Sequence, residues 1–169
     1  MKARLGAILI LMLYICSMLV IPVNAAAGKT PLEKAEALNK LYILQGDGKD
    51  YNLDGQLRRS EAAAFIVRIM GMEKEVLENK QLYNETGFPD VEKTQWHAPY
   101  IGYCVKNGII VGYPNGNYGP DDPISEKSFL KLVLGVLGLK YADDFDWSEV
   151  YVTAYNNGIV LNPAYEVKS

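Results

Sequence analysis

The chain has 169 residues, with 17 Lys and Arg against 20 Asp and Glu, a formal net charge of −3. That balance excludes a general binder of nucleic acid or of anionic membrane, which would carry a basic excess. Two cysteines exclude a disulfide framework, and the length fits one ordinary domain or a few small repeats.

Lys2 and Arg4 precede an uncharged apolar run from Leu5 to Ile21, and Pro22-Val23-Asn24-Ala25-Ala26-Ala27 follows it. Charge, apolar run and small residues in this order predict a secretory signal peptide over 1–27, cleaved between Ala26 and Gly28. The alternative, an uncleaved anchor helix, needs about 20 apolar residues, and the run falls short of that. Cys16 follows Ile15, which is too large for the residue preceding a lipidated cysteine. Removing 1–27 leaves 17 − 2 = 15 basic against 20 acidic residues, a net −5. The exported chain is therefore expected to have no membrane attachment of its own. Cys104 then has no partner for an intrachain disulfide, and its apolar neighbours predict a buried thiol.

The exported part superposes on itself. Leu57 to Gly71 lies over Ile124 to Gly138 at an offset of 124 − 57 = 67, which also sets Tyr51 on Tyr118, Asp54 on Asp121 and Ala37 on Cys104. Each unit reads as helix, loop, helix. In the first unit, residues 28–72, Leu32, Ala35, Leu38, Leu41 and Tyr42 recur at helical spacing up to a Gly46-Asp47-Gly48 turn, and a second helix runs from near Arg58 to Gly71. Residues 73–87 are charged and predict a short solvated helix with no assigned function. In the second unit, 88–140, the first helix is expected over Trp96 to Asn107 with Gly108 ending it. The second starts at Ser125, a good N-cap, and ends at Gly138. Tyr151 to Val160 lies over residues 101–110 at an offset of 158 − 108 = 50, so residues 141–169 read as a third unit that stops before its second helix.

Phe88-x-Asp90-Val91, Trp96, Tyr100-Ile101, Gly108-Ile109-Ile110, Gly112-Tyr113-Pro114-Asn115-Gly116 and Pro120 follow one another at tight spacing. This pattern resembles the S-layer homology repeats of Gram-positive, clostridial-like bacteria. In the first unit Leu57-Arg58-Arg59-Ser60-Glu61 stands where that family carries Ile-Thr-Arg-Ala-Glu. The resemblance implies a mainly α fold of tandem helix-loop-helix repeats around a pseudo-threefold bundle, with the third repeat truncated. It implies a secreted, non-catalytic module of the cell wall or S-layer that binds anionic, often pyruvylated, secondary cell-wall polysaccharide. It also implies a glycan site of Arg59 and Glu61 from the motif, Trp96 as the aromatic, and Gly112, Tyr113 and Asn115 in the loop. Arg58 departs from the family threonine, forgoing a side-chain cap, and is read instead as a second cation for the ligand.

The chemistry of that set is coherent. A guanidinium grips a planar carboxylate through two parallel hydrogen bonds, which a lysine does not do. Glycines let backbone approach a sugar ring, and Tyr113 or Trp96 offers it a face. Each residue also has a plainer reading: Trp96 as core, Glu61 as a first-turn acid favouring the helix dipole, Arg59 as a solvated side chain. In the second unit the motif positions hold Glu126 and Ser128, which predicts an eroded site there.

Two other readings stay open. Asp50-x-Asn52-x-Asp54-Gly55-x5-Glu61 fits a calcium loop, although Asn117, Gly119, Asp121, Asp122 and Ser128 in the same register of the second unit make no cage. The chain is alternatively a degenerate structural or interaction module without glycan affinity, its third unit completed by a partner chain. No cofactor motif is present. His97 is the single histidine, with no second histidine or thiol to complete a nucleophilic or zinc arrangement, and the adjacent pairs Asp121-Asp122 and Asp143-Asp144 do not face each other across a bond. The expected chain is not an enzyme.

Overall fold

The computed structural model describes residues 30–46 and 50–160. The predicted signal peptide, residues 47–49 of the first turn, and the end of the third unit lie outside the described residues. The described residues are helical, with six α-helices and no strand, in agreement with the mainly α expectation. The chain divides into two compact units, Met1–Leu53 and Asp54–Ser169.

In the first unit, helix α1 (Pro31–Lys40) begins at Thr30 with a full capping box. The Thr30 hydroxyl accepts from the Glu33 N–H at 3.3 Å, and the Glu33 carboxylate accepts from the Thr30 N–H at 2.7 Å. Pro31 occupies the first helical turn, where its missing N–H leaves no bond unmade. The helix stops earlier than the Gly46 turn suggested. Tyr42 takes a left-handed backbone (φ 58°), and the Tyr42 and Ile43 N–H groups close back on the Asn39 and Leu38 carbonyls.

In the second unit, α2 (Arg59–Ile69), α3 (Glu73–Glu78), a 3-10 turn (Lys80–Leu82), α4 (Ala98–Lys106), α5 (Glu126–Val136) and α6 (Val150–Asn156) follow in order. Helices α2 and α4 make the most extensive contact. Ala62, Ala63 and Ala64 are all buried, which keeps α2 slim around its second turn, and Ile66, Val67, Ile101 and Cys104 are buried in the same core cluster. Gly102 is fixed by the same packing, because a Cβ there would overlap the Tyr83 carbonyl. The segment 73–87 is therefore not the solvated helix that its charge suggested. Val76, Tyr83 and Thr86 are buried, and α3 packs on α4. Two of its acids are engaged internally: Glu73 accepts from Arg68 and the Tyr100 hydroxyl, and Glu75 from the Tyr83 hydroxyl. A second cluster forms where Leu130 and Leu134 of α5 meet Phe145, Val150 and Ala154.

The same cap geometry recurs along the chain. Helix α4 ends on Gly108 (φ 69°), with the Gly108 and Ile109 N–H groups bonded to the Val105 and Cys104 carbonyls. Helix α6 ends on Gly158 (φ 70°) with the same pair of bonds, to Tyr155 and Ala154. Tyr42 thus does in the first unit what glycine does in the other two. This sets Leu38, not Ala37, on Cys104, an offset of 108 − 42 = 66 for the first helices. The second helices keep 67: Arg58 and Ser125 are both N-caps, and Gly71 (φ 69°) and Gly138 (φ 83°) both follow the helix end. The segment that joins α4 to α5 is thus one residue longer than the one that joins α1 to α2 between matching cap positions.

Candidate functional site

The loop 111–124 is held by residues of the resemblance pattern. Asp90 accepts from the Tyr118 N–H at 2.9 Å and from the Gly119 N–H at 2.7 Å, while the Phe88 ring stacks on Tyr118 at 5.4 Å. At Gly112 a Cβ would collide with the Phe88 ring, so the glycine is required by packing. Asn115 accepts from the Asn117 N–H and fixes the exposed tip, and the Tyr113 N–H donates to the Asn117 carbonyl. This loop meets the start of α2 edge to edge. The Ile124 N–H donates to the Leu57 carbonyl, the Arg59 N–H to Asp122 and the Ser60 N–H to Pro120.

Arg59 lies at that junction. Its Nε donates to the Tyr118 carbonyl at 2.7 Å, the buried Tyr118 hydroxyl donates to the Arg59 carbonyl at 2.8 Å, and its guanidinium carbon stands 4.5 Å from the ring centres of both Tyr113 and Tyr118. Two aromatic faces and one carbonyl hold the cation in place without neutralising it. Among the described residues no carboxylate pairs with Arg59. The nearby acids are otherwise engaged: Asp90 on the loop amides, and Asp122 on the Tyr113 hydroxyl at 3.0 Å.

Beside Arg59 is a pocket of about 70 Å³ lined by Tyr118, Ser128, Lys131, Trp147 and the stretch 109–111. Lys131 lies in an otherwise apolar stretch of α5, its Nζ 3.8 Å from the Tyr141 ring centre. Burial, and then the Arg59 charge, pull the Lys131 ammonium below its ordinary range. The indole of Trp147 lies 5.0 Å from the Lys127 ammonium. The pocket therefore draws Arg59 from the start of α2, Ser128 and Lys131 from α5, and Trp147 from the segment before α6.

The expected site residues are only partly brought together. Arg59 and Tyr113 meet. Glu61 faces its own helix, where its carboxylate accepts from the Arg58 N–H at 2.8 Å. That is half a capping box, since a guanidinium has no acceptor to return. Arg58 is exposed and paired with Asp121 at 3.1 Å, away from the pocket lining. Trp96 is 56% exposed and so is not core, with its ring near His97 and Tyr100, and it does not line the pocket either. Gly112 and Asn115 shape the loop. Sequence reasoning missed Lys131 and Trp147, and read Ser128 only as an eroded motif position. The available signal was the lone lysine inside Phe129-Leu130-Lys131-Leu132-Val133-Leu134, one helical turn after Ser128.

Of the calcium-loop residues, Glu61 is engaged as described, and among the described residues no three His, Cys, Asp or Glu side chains are grouped to hold a metal. Cys104 is fully buried and its thiol is pushed up to about 12 by burial, so it is an inert core group. His97 is also buried, and its Nδ1 has no hydrogen-bond partner.

The S-layer homology domain profile matches residues 87–129, from the Phe88-x-Asp90 anchor through α4 and the loop to the first turn of α5. The chain contains an S-layer homology domain. It is 31% identical over 139 residues to a cell surface protein of Thermoanaerobacter kivui, covering 78% of this chain and 18% of that protein. It is 29% identical over 115 residues to a surface layer protein of Brevibacillus choshinensis, covering 68% of this chain and 10% of the relative. A further relative, named an uncharacterized cell wall amidase, of Bacillus anthracis, is 27% identical over 128 residues, covering 71% of this chain and 23% of that protein. The chain thus spans less than a quarter of each of these relatives. The S-layer homology match and the relatives' names agree with the cell-wall or S-layer localisation expected from the sequence.

Proposed function

We propose that this S-layer homology module is non-catalytic and anchors protein to the bacterial wall by holding an anionic secondary wall polysaccharide at the Arg59 pocket. The observation that carries this reading is the state of Arg59. Its Nε and its flat faces are fixed by Tyr118 and Tyr113, while its Nη groups have no acceptor among the described residues. A held, un-neutralised guanidinium at a pocket is suited to grip a carboxylate such as a pyruvate ketal. Tyr113 and Trp147, 38% and 44% exposed, offer ring faces for sugar beside the cation. The relative named a cellulosome-anchoring protein, from Acetivibrio thermocellus and 29% identical over 77 residues, supports the same kind of role. Trp96, exposed on the α4 side, is proposed as a separate platform for the polymer.

Arg59→Lys and Arg59→Ala, measured by calorimetry against purified wall polymer, test the site. Loss of a buried charge-assisted pair predicts affinity lower by about tenfold or more for alanine, and a substantial part of that loss for lysine, which keeps charge but not the fork. Affinity within about twofold of the parent for both variants sinks the assignment.

A further inference from the structure

Resting on that reading, we infer that Lys131 and Ser128 set the charge selectivity of the Arg59 pocket, so that it takes one small anionic substituent of a sugar, a carboxylate or a phosphate, against Trp147. Neither residue belongs to the motif that first marked the site. Lys131 reaches the pocket from α5 and Arg59 from α2, and among the described residues neither is in an ion pair. Two cations share a small space in a chain whose net charge is −3. Part of the downward pull on the Lys131 ammonium comes from Arg59, a repulsion that a bound anion relieves.

Ser128 makes this possible. It matches Glu61 at the 67-residue offset, and both are third residues of their helices. Ser128 lines the pocket, so a glutamate there would add a negative charge beside the two cations even with its carboxylate turned back to the Ser125 N–H, as Glu61 turns to Arg58. The serine instead shares a hydrogen bond with the Ser125 hydroxyl at 2.8 Å, as part of the α5 cap, and leaves the cations to the ligand. The substitution that reads in the sequence as erosion thereby creates a charge-selective pocket. Trp147 lines the same pocket with its ring 5.0 Å from the Lys127 ammonium, which places an indole face beside the two cations for the sugar that carries the anion.

Methyl glucuronide, glucose 6-phosphate and methyl glucoside, titrated into the protein while the Trp147 indole is followed by NMR, separate the possibilities. The parent should bind at least one anionic sugar about tenfold more tightly than the neutral one. A stronger response to the glucuronide identifies a carboxylate ligand, and to the phosphate a phosphoryl one. Lys131→Met and Ser128→Glu should each remove most of that preference, and Lys131→Arg should keep it. Equal affinity of the parent for all three sugars, or a preference unchanged within about twofold in both Lys131→Met and Ser128→Glu, overturns the inference. Sedimentation of the same proteins with intact walls keeps the two ideas apart. If every protein sediments fully but no preference exists, selectivity is refuted and anchoring stands; if the parent fails to sediment, anchoring itself is refuted.

Discussion

Asp90 is the residue on which the loop beside Arg59 depends. Its two oxygens each hold a loop amide, and the second of these, on Gly119, lies next to the Tyr118 carbonyl that receives the Arg59 Nε. Charge-assisted bonds of this kind contribute about 1.5 to 3 kcal/mol each. Asp90→Ala is therefore expected to lower stability by about 2 kcal/mol and to weaken polymer binding, although Asp90 does not line the pocket. Denaturant melts and calorimetry on the same preparation check both halves. Arg58 is the opposite case. Its guanidinium meets Asp121 across an exposed pair, which adds little, and it leaves the Glu61 N–H without the side-chain acceptor that Ser125 provides at the start of α5. Arg58→Ser should restore that cap and raise stability by about 0.5 to 1 kcal/mol, read as a higher midpoint in urea.

At the scale of the element, helix identity and helix ends were legible where the signal is local. Ser125, Gly71, Gly108 and Gly138 mark their caps because capping depends on one or two side chains and one backbone conformation. Tyr42 defeated the same logic: a tyrosine carries no left-handed preference, so the end of α1 was displaced toward Gly46 and the register of the first helices was set one residue off. The segment 73–87 was misjudged for a related reason. Its charges read as solvent-facing, but Glu73 accepts from Arg68 and Tyr100, outside the segment, and Glu75 accepts from Tyr83, further along it. That packing gives a direct test in Gly102→Ala, where a Cβ meets the Tyr83 backbone, which cannot swing away as a side chain tip could. Overpacking of this kind costs about 1 to 3 kcal/mol, and a thermal melt should register it even though alanine is the better helix former.

The assembled unit brings together what no single helix contains. Motif matching found Arg59 and Tyr113 because each lies in a stretch that carries the family pattern. It could not find Lys131 or Trp147, which line the pocket only because α5 and the segment before α6 close on α2. Stability of the assembled unit should also carry a pH signature from His97. Burial lowers its folded pKa against the opposing pull of Asp121 and Asp90, so the folded state favours the neutral ring. The sign follows: the contribution is fully present above about pH 6.5, the unfolded value, and is lost as pH falls through the folded pKa. The thermal midpoint should fall between about pH 7 and 5, and His97→Gln should flatten that slope. Anchoring itself is tested most directly by sedimenting the protein with purified cell walls before and after the secondary polysaccharide is extracted. The account predicts that the protein pellets with intact walls and stays in solution with extracted ones. Equal pelleting with both contradicts it.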